Sequence, residues 1–126
     1  MKMANQNQFI QEHAEWDRRL EFITQENALL KYRLSEMVDV SEEKDFLKKA
    51  ENFQNELLLK DEKLQKIIKE LKILSMAFKE VKDPNEKADL ILQHGDFRKR
   101  ISKFAEEFIH FTNQFNKKML LGKSFN

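Results

Sequence analysis

Apolar residues recur along this chain at alternating intervals of three and four in three long stretches. The first holds Phe9, Trp16, Leu20, Ile23, Leu30, Leu34 and Met37. The second holds Phe46, Ala50, Phe53, Leu57, Leu64, Ile67, Leu71, Leu74, Phe78 and Val81, and the third Leu90, Phe97, Ile101, Phe104, Phe108, Phe111 and Phe115. A repeat near 3.5 residues keeps one stripe of each helix turned toward its neighbours. The pattern therefore predicts an all-α fold, an elongated antiparallel three-helix bundle with coiled-coil-like seams. It assigns residues 1–126 to a single domain, with helices at about 5–38, 41–82 and 84–121.

Two short breaks divide the stretches. At Asp39-Val40-Ser41-Glu42, Asp39 with Glu42, or Ser41 with the acids after it, supplies the side-chain acceptors that cap a helix start. At Asp83-Pro84-Asn85-Glu86, proline ends one hydrogen-bond ladder and fits the first turn of the next, with Asp83 as its cap. Connections this short fold successive helices back on each other. Gly122 is a natural stop for the third helix, and residues 123–126 are expected to fray. Gln93-His94-Gly95-Asp96 admits two readings. Either Gly95 breaks the third helix, or the helix runs through at a cost of about 1 kcal/mol.

The seam of the first helix is not uniformly apolar. With Trp16 at d, the a positions are His13, Leu20, Asn27 and Leu34. A buried Asn27 needs a polar partner and fixes register; Lys60 falls on the facing seam about one layer away. His94 also takes an a position, and the antiparallel plan puts it at the same end of the bundle as His13. Such a pair suits a metal or a pH-sensitive contact, and equally a half-buried boundary layer.

Composition narrows the picture further. Two glycines and one proline in 126 residues leave room for few loops. Charged residues make up 36% of the chain with a net charge of +1, the mixture of a solvated helical surface. Without cysteine, disulfides and thiolate chemistry are excluded, which suits a cytoplasmic protein. No apolar run is long enough to span a membrane, and the first 16 residues lack the apolar core of a secretory signal.

The remaining motifs offer little chemistry. Glu107-Phe108-Ile109-His110 has the Glu-x-x-His spacing of di-iron bundles, but those sites draw ligands from four helices. The basic concentrations, Lys63 and Lys66 with Arg98 and Arg100, form a candidate basic face. Glu12, Glu15, Asp17 and Glu21 flank it, so nucleic acid is disfavoured. No phosphate loop and no nucleophile–base–acid series stands out. Phe22, Leu29, Leu58, Leu59, Ile68 and Ile109 lie off the strict seams. They read either as a widened core or as an interaction face, with Phe22, Leu29 and Ile109 as candidate partner-binding residues. Three long helices with Trp16 in the first resemble a spectrin-type repeat, a likeness of architecture that carries over no functional residue. The expectation is a non-enzymatic, cytoplasmic bundle without cofactor. It would act on a protein partner or by self-association, as adaptor, assembly factor or small chaperone. The alternatives are a nucleic-acid-associated protein using the basic face, and a metal-binding bundle completed by dimerisation.

Overall fold

The structure, a computed structural model, describes residues 6–121. Helix α1 spans Gln6–Val40, α2 spans Lys44–Glu80 and α3 spans Pro84–Phe115, followed by a π-helical segment at Asn116–Leu121. There is no strand among the described residues. Helices of 35, 37 and 32 residues extend roughly 50 Å each at about 1.5 Å per residue.

Contacts fix the topology. Phe9 stacks on Phe78, His13 meets Ser75 and Asn27 meets Asp61, so rising numbers on α1 face falling numbers on α2. Lys63 meets Glu107 while Arg100 meets Glu70, making α2 and α3 antiparallel as well. Between α1 and α3 the order is parallel, with His13 beside His94 and Trp16 beside Phe97. The seams close over one apolar core. Trp16, Ile23, Phe53, Leu71, Phe104 and Phe108 are all buried. Met37, Phe46 and Leu90, at the ends of the stripes, pack against the core and are only partly buried.

The breaks differ in detail from the sequence expectation. α1 continues to Val40 and α2 begins at Lys44, three residues later than expected. Its N-cap, Glu43, makes no side-chain capping bond. Ser41 instead accepts from the Glu43 N–H at 3.3 Å, which orders the turn rather than the first helical turn. At the second break the expectation holds: Asp83 accepts from Asn85 N–H at 3.1 Å, with Pro84 at the start of α3.

Of the two readings at Gly95, the continuous helix is the one observed. The seam holds its phase through His94 and Phe97, both buried. The departure comes at Asn116. The α spacing that runs through Phe108, Phe111 and Phe115 would next bury Lys118. The π segment carries more residues per turn, which lets Met119 take the inward place, fully buried. Gly122 and residues 123–126 lie outside the described residues.

Candidate functional site

Three places on this frame carry candidate functional residues: the off-seam apolar face, the basic face and the polar layers of the seam. Phe22 and Ile109 are 60% and 61% exposed, so neither belongs to a widened core. They line one groove of about 400 Å3 between α1 and α3, together with Arg19, Ile23, Ser102, Ala105, Glu106 and Phe108. Buried Ile23 and Phe108 form its floor. Leu29 sits one heptad beyond Phe22 on the same face of α1, less exposed, and is not in the groove lining. Leu58 falls elsewhere, in the α1/α2 groove beside Lys31 and Val38.

The basic residues are drawn into pairs. Arg98 forks onto Glu12 with two contacts of 2.7 Å. Arg100 binds Glu70 and lies over the Phe97 ring, and Lys63 stands 3.6 Å from Glu107. Lys66 is exposed. Three of the four candidate cations thus have a carboxylate beside them. Glu107 and His110 line the α2/α3 groove with Glu56 and Lys60. Among the described residues no group of three or more His, Asp or Glu is placed to hold a metal ion.

Each polar seam residue has a distinct environment. Asn27, fully buried, donates to the Leu57 carbonyl at 3.3 Å and to Asp61 at 2.9 Å. Asp61 also pairs with Lys31. The polar partner of Asn27 is Asp61, and the Lys60 ammonium lies over the Phe111 ring. The Asn27 Oδ1 is left without a partner.

The second polar layer joins all three helices. Ser75 Oγ lies 2.9 Å from His13 Nδ1, His13 Nε2 lies 2.9 Å from His94 Nδ1, and His94 Nε2 lies 2.7 Å from Glu12 Oε1. Arg98 then holds Glu12 from the solvent side. Both histidines are buried, 2% and 1% exposed, among Phe9, Trp16, Phe78 and Phe97. The Arg98 hydrogen bonds hold the Glu12 carboxyl down at about 2 against its ordinary 4.5. Burial, and then the charge of His94, lower His13 to about 4.

The sequence placed the two histidines together but missed Ser75, Glu12 and Arg98 as their partners. The signal was there in the spacing. Glu12 directly precedes His13, and Arg98 lies one turn beyond His94 on the same side of the helix. Chemically the series has the order of nucleophile, base and acid. Ser75, however, sits in the middle of α2, where backbone N–H groups are committed to the helix ladder and no oxyanion site is formed. Ser75, His13 and His94 line neither the α1/α3 groove nor the grooves along α2 described above. The series links the three helices through consecutive hydrogen bonds.

No helix among the described residues is long and apolar enough to cross a membrane. Compared with protein-family models, curated proteins and solved structures, the chain matches none of them.

Proposed function

We propose that the chain is a non-enzymatic helical bundle acting through protein–protein contact, as adaptor, assembly factor or small chaperone. In this reading the α1/α3 groove is its contact surface. The observation that carries it is the pair Phe22 and Ile109, large apolar side chains from different helices, both well exposed and lining one groove. A lone exposed apolar residue means little, whereas a contiguous patch with a polar rim marks an interaction site. The groove follows two parallel helices, a shape suited to the apolar face of a third-party helix. Arg19 on α1 and Glu106 on α3 give its two walls opposite charge, which would orient an amphipathic helix bearing both signs. The occupant proposed is such a helix from a partner protein. A cytoplasmic setting, which a cysteine-free chain suits, is part of the same reading.

The nucleic-acid alternative draws less support, because Lys63, Arg98 and Arg100 each have an acid beside them. The test uses synthetic amphipathic helical peptides and NMR of the labelled protein. Binding should shift signals from Phe22 and Ile109, and Phe22→Glu with Ile109→Glu should abolish it while helicity is unchanged. Unfolding of the double variant, or binding that ignores it, would overturn the proposal. Dimerisation removed by the same variants would assign the groove to a second copy.

A further inference from the structure

We propose that His13 and His94 form a proton-operated latch: the pair carries one added proton without losing a hydrogen bond, and a second proton parts α1 from α3 at this end of the bundle. Donors and acceptors along the series fix where each hydrogen sits. Glu12, an ionised carboxylate clamped by Arg98, can only accept, so His94 Nε2 carries a hydrogen. The Nδ1 of neutral His94 is then an acceptor, so His13 Nε2 carries a hydrogen. His13 Nδ1 accepts in turn, and Ser75 donates its hydroxyl. Each assignment forces the next, and no polar atom of the series is left over.

One more proton fits. It enters at His13 Nδ1, which then donates to a Ser75 oxygen turned to accept. The hydrogen between the rings can then sit on either side of the His13–His94 contact, which keeps its bond in both cases. Every hydrogen bond survives with its direction reversed or kept. A second proton has no such place. It would occupy His13 Nε2, and an N–H would face an N–H across 2.9 Å. The charged groups around the pair oppose it too. Glu12 from α1 is already shared with Arg98 of α3, and α2 contributes the positive charge of Lys79. The low value of about 4 for His13 accords with this count. Parting would uncover Phe9, Trp16 and Phe78, the rings that pack on the pair, and Phe97, which packs on Trp16.

The chain carries its own reporter. Trp16 is its only tryptophan, with its ring centred 4.7 Å from His94 and 5.3 Å from His13. The test is an acid titration of the full chain, followed by Trp16 emission and by NMR of the histidine ring nitrogens, with exposed His110 as reference. At neutral pH both His13 and His94 should be Nε2–H tautomers. On acidification the emission should first dim at constant wavelength, as a closed pair takes one proton, and then shift to the red as the rings are wetted. In His13→Gln the red shift should move to lower pH. A His94 Nδ1–H tautomer at neutral pH would overturn the proposal. So would a red shift that coincides with the first proton, or one that is unmoved in His13→Gln. If that variant does not fold, the tautomers and the order of the two spectral changes in the unaltered chain still decide.

Discussion

The two polar layers of the α1 seam occupy equivalent a positions, yet they are built in opposite ways. At Asn27 the partners come from α2 alone, and one buried oxygen has no hydrogen bond. At His13 the partners come from α2 and α3, and every ring nitrogen is paired. An unsatisfied buried acceptor costs about 1–3 kcal/mol, so the Asn27 layer exchanges stability for a defined register between α1 and α2. The histidine layer ties three helices together, and its strength depends on pH. The same sequence position thus fixes alignment in one layer and makes a conditional contact in the other.

The apolar layer between them sets the scale. Phe104→Ala should lower stability by roughly 3–5 kcal/mol, measured by urea unfolding; a loss under about 1 kcal/mol would show that the α3 seam is misplaced. The next effect separates the two polar layers. His13 is held neutral in the fold at about 4 against an ordinary 6.5, so the unfolded chain binds more protons between these values. Stability is therefore full above pH 6.5 and falls as pH drops toward 4, by on the order of 3 kcal/mol. Below that, Glu12 contributes a further loss as pH falls from 4.5 toward 2. Unfolding curves at several pH values check this, and Asn27→Leu should leave the shape of the profile unchanged.

Smaller still is the cost of the Asn27 layer itself. Replacing Asn27 by Leu removes the orphaned oxygen and leaves Asp61 its pairing with Lys31. A change within about 1–2 kcal/mol, in the stabilising direction, is expected; a large loss would mean that the Asp61 contact outweighs the orphan. The smallest effect concerns neither layer. A Cβ added at Gly95 meets nothing within 4 Å, and the residue lies inside a continuous helix. Gly95→Ala should therefore stabilise by about 1 kcal/mol, equally at pH 7 and pH 5, which gives a control for the histidine layer one residue away.

How much of this was legible in the sequence follows from what carries each feature. The seams rest on periodicity, and periodicity is local, so the helices and the buried places of Trp16, Leu71 and Phe108 could be read directly. The pairing of His13 with His94 followed from topology plus register. Ser75 could not be read in the same way, because it lies on the flank of α2 and depends on how far that helix is rotated toward α1. The partner of Asn27 could not be named for the same reason: Lys60 and Asp61 are adjacent along the axis, and only helix rotation turns Asp61 toward the amide. The Phe22–Ile109 groove falls between the two cases. Its residues were identifiable as surplus to the seam, while their exposure depends on how closely α1 and α3 approach.

The widened turn at Asn116–Leu121 gives the two ends of α3 unequal tolerance to changes in length. In the body of the helix, losing one residue turns everything downstream by about 100° and would swing Phe104, Phe108 and Phe111 out of the core. Phe115 to Met119 takes four residues where the alternation of the seam calls for three. Deleting Lys117 there would restore the three-residue step of the seam and bring Met119 to the inward place by another route. The π segment therefore acts like slack in a reading frame, confining a single-residue insertion to the last turns of the bundle.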